Sequence, residues 1–182
     1  MLGLGVVWAP KLLIVRGLDT NSANLASSFL WLGVAVGCFV APWSSDWLRR
    51  RKSPILIGIA LQVVALLSLL GAPMDMALCF IFGLGNSAHM LAFSTAGDVV
   101  EPEYIGTSAA IVNGTMFLVG GIMISRPGVQ IGLGLESGVT PGSLDLAQFA
   151  GRPLLIGVSA AFVIALFMRE TYPVSRRYSR SA

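Results

Sequence analysis

Within seven residues this chain places one carboxylate and four cations: Asp46, then Arg49, Arg50, Arg51 and Lys52. Charges of opposite sign at that spacing make ion pairs rather than bond-breaking chemistry. Such pairs contribute up to about 1 kcal/mol each when exposed, so several together can bias an equilibrium between two conformations. A second patch, Asp98, Glu101 and Glu103, offers carboxylates to the same cations. Proton chemistry has one candidate. His89 is the sole histidine and lies one helical turn beyond Asn86, which puts both on one helix face. An imidazole there takes a proton near neutral pH or hydrogen-bonds a ligand; the alternative is a structural histidine bonded to a neighbouring helix. Arg126 has two readings as well. It is an interfacial anchor if its helix stops there, and an intramembrane anion-binding group if the helix continues through a Pro127 kink to about Leu135. Lys11 carries the same ambiguity. Trp31, like Trp8, either shapes a cavity wall or serves in packing. Asp46 together with Arg50 or Arg51 is the expected switchable pair, with Lys52 and Glu101 beside it; topology-setting and headgroup anchoring are the competing role.

The elements that hold these residues are apolar. Of the 182 residues, 55% are hydrophobic and only 12% charged, with a mean hydropathy of +0.79. A water-soluble domain needs about twice that charged fraction to cover its surface. The surrounding medium is therefore lipid. The net charge of +3 is gathered at residues 49–52 and 169–180 rather than interleaved with aromatics, which excludes a nucleic-acid face. Cys38 and Cys79 both fall in apolar segments and read as packing residues, with no disulfide or metal framework and no cofactor expected. No cleavable signal peptide is evident. An enzyme reading has nothing to stand on, since no paired carboxylates, His/Cys metal spacing or nucleophile–base pair occurs inside the apolar segments. Gly83-Leu84-Gly85-Asn86-Ser87-Ala88 fits the loose dinucleotide fingerprint, but no strand precedes it. The sequon Asn113-Gly114-Thr115 lies at membrane depth.

About 20 helical residues cross about 30 Å of hydrocarbon. The expected spans are 23–43, 54–71, 76–96, 106–128 and 150–168, preceded by a partial one, 1–16, that Pro10 and Lys11 interrupt. On this reading Met1 begins inside a transmembrane helix and something is missing before it. Basic connections stay on the cytoplasmic side. Four spans separate 49–52 from the basic tail 169–182, so both clusters, and the C-terminus, face the cytoplasm, while the Lys/Arg-free connection 136–148 faces outward. Spans 54–71 and 150–168 are almost purely apolar and read as outer helices. Spans 76–96 and 106–126 carry Asn86, Ser87, His89, Ser94, Thr95, Asn113 and Thr115 and read as lining helices, because polar groups avoid lipid. Small residues recur every fourth position at Gly33, Gly37 and Ala41, at Gly106, Ala110 and Gly114, and at Gly157, Ala161 and Ala165, a pattern for close helix approach.

Gly33, Gly37, Pro42-Trp43-Ser44-Ser45-Asp46 and Arg50-Arg51-Lys52 together resemble the G-x-L-S-D-R-x-G-R-R-K loop signature of the major facilitator superfamily. Glu101-Pro102-Glu103-Tyr104-Ile105-Gly106-Thr107-Ser108-Ala109, Asn113, Arg126-Pro127 and Gly132 look like the tenth-to-eleventh helix region of many bacterial members, and Glu170-Thr171-Tyr172 like the usual ending after the twelfth helix. Pro42, Trp47 and Arg49 depart from the signature, replacing its first Gly, first Arg and second Gly. The resemblance covers nearly the whole chain, but only as the family's C-terminal half: a six-helix half-bundle, all-α, in a bacterial inner membrane. It implies secondary active transport of a small polar or anionic metabolite by alternating access, often ion- or proton-coupled. Asn86, His89, Asn113, Arg126, Trp31 and Lys11 would line the path, and Asp46, Arg50, Arg51, Lys52 and Glu101 the cytoplasmic gate. A separate N-terminal half or a second copy would complete the bundle. The alternative is a non-transporting fragment, or a helical partner subunit of another membrane protein.

Overall fold

The computed structural model describes residues 8–15, 17–71 and 76–173, and among them it contains helices and no strand. Residues 1–7 of the partial first span, Arg16 and residues 174–182 of the basic tail lie outside the described residues. The helices are α1 (Ala9–Val15), α2 (Thr20–Leu48), α3 (Lys52–Gly71), α4 (Met76–Asn86), α5 (Met90–Asp98), α6 (Ile105–Glu136) and α7 (Leu144–Leu166). Single 3-10 turns at Ser87–His89 and Pro102–Tyr104 join α4 to α5 and precede α6.

Local chemistry sets the ends. Asp19 caps α2 by accepting from the Ser22 backbone N–H, and Ser143 caps α7 by accepting from Leu146 N. Side-chain oxygens at these positions satisfy first-turn donors that have no helical partner. The apolar run of α2 ends near Trp43, yet the helix continues to Leu48 and takes Ser45 and Asp46 into its last turn. It stops in a Schellman closure, with Arg49 N donating to Asp46 O and Arg50 N to Ser45 O. Arg49 occupies the left-handed position (φ 50°) usually given to glycine.

Packing runs in the spatial order α2, α4, α3, α7, α6, with α5 returning against α6 and α1 laid over α2 and α7. The tight part is the α2–α4–α3 seam. A methyl group at Gly33 would overlap the Phe80 carbonyl, one at Gly83 the Leu30 carbonyl, and one at Gly58 the Ala88 side chain. Glycine is what lets these backbones touch. The seam buries Phe82, Cys79, Leu91 and Ser87 completely or nearly so. It also buries Gln62 of α3, 4% exposed, whose amide reaches the Gly85 carbonyl at 3.3 Å. The expectation that span 54–71 is an outer helix therefore fails at Gln62, which turns inward.

α6 is the contrast. It continues through Pro127 to Glu136 as one 32-residue helix, so the helix does not stop at Arg126. Proline supplies no N–H and its ring crowds the preceding turn. Here Pro127 is buried, and the Trp8 indole N–H donates to the Ile124 carbonyl at 2.8 Å beside it. Along most of α6 the surface is open. A methyl at Gly106, Gly114, Gly120 or Gly132 would meet nothing within 4 Å.

Candidate functional site: a charge cluster at the helix ends

Arg51 sits at the junction of four chain segments. Its Nε donates to Asp98 Oδ2 at 3.0 Å, at the end of α5. One terminal guanidinium nitrogen reaches both Ser45 Oγ and Asp46 Oδ1 at 3.1 Å, in the last turn of α2. Its guanidinium carbon lies 4.9 Å from the centre of the Tyr172 ring, beyond α7. The planar, permanently charged fork of arginine suits such shared contacts better than lysine would. Exposure ranks the two pairs: the Arg51 and Asp98 side chains are 13% and 16% exposed, Asp46 63%. The Asp98 pair is thus the one shielded from water, and Asp46 forms the wet rim. Ser45 is fully buried and donates to the Arg50 carbonyl at 2.9 Å, tying the αL turn to the helix it ends.

Glu170 and Lys52 add a reciprocal capping pair between α7 and α3. Glu170 accepts from the Arg51 and Lys52 backbone N–H groups at 2.7 and 3.3 Å, where α3 begins. Lys52 Nζ donates to the Leu166 carbonyl at 2.7 Å, where α7 ends. An anion at a helix start and a cation at a helix end each meet the favourable pole of the peptide dipoles. Partial burial pushes the Glu170 carboxyl upward, but the backbone N–H groups of Arg51, Tyr172, Lys52 and Thr171 outweigh it. The net result holds the group below its ordinary value of 4.5.

Of the expected cluster residues, Asp46, Arg51 and Lys52 are brought together, with Arg51 rather than Arg50 making the ion pair to Asp46. Arg50 and Glu101 are exposed, and neither forms an ion pair among the described residues. The Arg50 backbone is bound to Ser45 at both its N–H and its carbonyl, which leaves the side chain outside. Glu101 caps a 3-10 turn with extended backbone. Asp98 and Glu170 are the carboxylates that take part. Asp98 belongs to the acidic patch visible in the sequence; Glu170 stands out there only as part of the Glu170-Thr171-Tyr172 ending, with no partner to suggest its role.

The six expected path residues do not converge. Asn86 is 2% exposed with no partner for its Oδ1. Half-buried His89 turns its Nδ1 back to the Asn86 backbone carbonyl, a local bond that leaves Nε2 for other partners. Trp31, Asn113 and Arg126 are exposed. Lys11, exposed and 5.2 Å from the centre of the Trp8 ring, borders an otherwise apolar cavity of about 300 Å³ between α1, α6 and α7 that contains none of the other five.

Among the described residues four helical runs, Thr20–Leu48, Met76–Asp98, Pro102–Glu136 and Leu144–Leu166, are long and apolar enough to cross a membrane. Exposed Phe39, Phe117 and Ile156 on these helices, and Phe167 just after the last of them, fit a lipid surround rather than water. The class is an all-α integral membrane protein. The family model of the Major Facilitator Superfamily matches residues 1–125, well over half of the chain, and the chain belongs to that family of membrane transporters. No curated protein and no solved structure matches it.

Proposed function

We propose that this chain is the C-terminal half-bundle of a secondary active transporter of the bacterial inner membrane. It moves a small polar or anionic metabolite by alternating access, coupled to protons or another ion. The charge cluster is its cytoplasmic latch, and a separate N-terminal half or a second copy supplies the opposite wall. The observation that carries this reading is Arg51, a mostly buried guanidinium that ties the ends of α2 and α5 to the start of α3 at one end of the half-bundle, where a gate against the opposite half would close. A charge pair made in one state and broken in the other biases the equilibrium by its differential strength. Asn86 and His89, near mid-span on α4 and its 3-10 turn, are the groups placed for substrate, at the depth where transporters of this kind bind it.

The test is uptake by cells expressing the chain with its complementing half, screened across metabolite classes and pH. Asp46→Asn and Arg51→Gln are expected to change the fraction of protein open to the cytoplasm, read by cysteine labelling, together with the transport rate. His89→Gln is expected to alter the pH profile. Unchanged accessibility and rate in both cluster variants would remove the latch. No uptake of any class, with or without a second half, would favour the partner-subunit reading.

A further inference from the structure

Two of the signature departures, Trp47 and Arg49, lie on the outside of the cluster and are not used by it. Trp47 stacks on Trp43 with ring centres 6.3 Å apart and planes 6° from parallel. Both indoles face outward, 68% and 75% exposed, and Phe39 one turn earlier is 80% exposed. These aromatics recur every fourth residue, so they form one ridge along the last turns of α2. Arg49 and Arg50 follow immediately, both exposed and without an ion pair among the described residues. Asp46, the nearest carboxylate in sequence, is already committed to Arg51.

We infer that the ridge and the two arginines form a docking ledge for an anionic phospholipid. Phe39 lies at the apolar end and the arginines at the charged end, roughly 15 Å of helix apart. That gradient matches the passage from acyl chain through glycerol to phosphate. Indole rings settle at the headgroup level. Guanidinium groups bind phosphate oxygens in forked pairs. A zwitterionic lipid cancels much of this attraction within its own headgroup, whereas an anionic one keeps it. The cluster therefore divides its cations by direction: Arg51 and Lys52 bind protein, Arg49 and Arg50 bind lipid. The ledge requires membrane embedding but not transport.

Indole fluorescence of the full chain in phosphatidylcholine vesicles tests this, with a minor fraction of either phosphatidylglycerol or phosphatidylcholine carrying brominated acyl chains as contact quencher. The expected result is stronger quenching by brominated phosphatidylglycerol, an enrichment of roughly fivefold per arginine that falls in high salt. Arg49→Gly with Arg50→Gln should bring the two lipids to equal quenching. Glycine is at ease in the left-handed turn at 49, so this variant keeps its fold, checked by helicity. Trp43→Phe with Trp47→Phe should remove the excess quenching by brominated phosphatidylglycerol, leaving the quenching of exposed Trp31, equal for the two lipids, and buried Trp8. Equal quenching in the unmodified protein would overturn the proposal. So would a preference that survives loss of both arginines, or a phosphatidylglycerol preference that persists without the two indoles. Protection of the two indoles by protein rather than lipid, seen as a quenched intensity that does not fall when Trp43 and Trp47 are replaced, would overturn it too.

Discussion

Glycine lines both the α2–α4–α3 seam and the outward side of α6, and its surroundings differ completely. At Gly33, Gly58 and Gly83 an added methyl would collide with a neighbouring helix; at Gly106, Gly114 and Gly132 it would meet open space. The seam also encloses the polar groups its backbones expose, such as Gln62 on the Gly85 carbonyl, whereas Asn113 and Arg126 on α6 face outward. Small-residue spacing thus says that a helix face can be approached closely. It does not say by what. The seam's partner is within this chain; the partner for α6 is lipid or another bundle.

The largest effect should come from filling the seam. Gly83→Leu is expected to destabilise at or beyond the upper end of the about 1–3 kcal/mol typical of overpacking, because the obstacle is backbone. Gly114→Leu should stay within about 0.5 kcal/mol. Denaturation in micelles reads both, and equal losses would erase the distinction between the two regions. Next, Arg51→Gln strands Asp98 at the polar end of the seam. A loss of about 2 kcal/mol is expected, short of the about 3–5 for a fully buried pair, while Asp46→Asn at the wet rim should cost less than about 1. A reversed order would mean that the rim pair dominates. Trp8→Phe removes the indole bond to Ile124 and should cost about 1 kcal/mol in the same denaturation assay. An unchanged midpoint would show that the indole bond adds nothing to the packing around Pro127.

The smallest effect concerns pH. The folded Glu170 carboxyl lies below its ordinary 4.5, so its contribution is complete above that value and is lost as pH falls through the lower folded one. Melting in detergent should weaken across that acidic window, and Glu170→Gln should flatten this part of the profile without altering the neutral-pH contrast between Gly83→Leu and Gly114→Leu. A profile unaffected by Glu170→Gln would assign the acid sensitivity to other carboxylates.

Much of the fold was readable because lipid imposes simple rules: apolar length gives spans, and the α2 stripe correctly predicts a close approach at Gly33 and Gly37. What escaped depends on contacts between distant segments. Glu170 acts on backbone N–H groups more than a hundred residues away in sequence, and any acid at that place in space would serve. Gln62 looked like a flaw in a lipid-facing helix because only the Gly58–Gly85 approach creates a polar spot for it. Arg51 could not be told from Arg50 in the sequence, since a single left-handed residue decides which of them turns inward. The path residues were chosen as polar groups at membrane depth; that criterion found buried Asn86 but also outward Asn113 and Arg126, which depth alone cannot separate.

The short 3-10 turn at Ser87–His89 has a geometric consequence for Arg51. Each residue of such a turn advances about 120° around the axis instead of about 100°, so three of them add an angular offset of roughly 60°. In ideal geometry α5 is rotated by about that amount relative to a straight continuation of α4. A side chain several ångströms from the axis is thereby carried sideways by a comparable distance, and Asp98, at the far end, is aimed accordingly. Regularising the turn into α-helix would leave both helices intact and point the carboxylate away from its guanidinium. The middle of the span thus acts as the azimuth setting for a charge contact at its end.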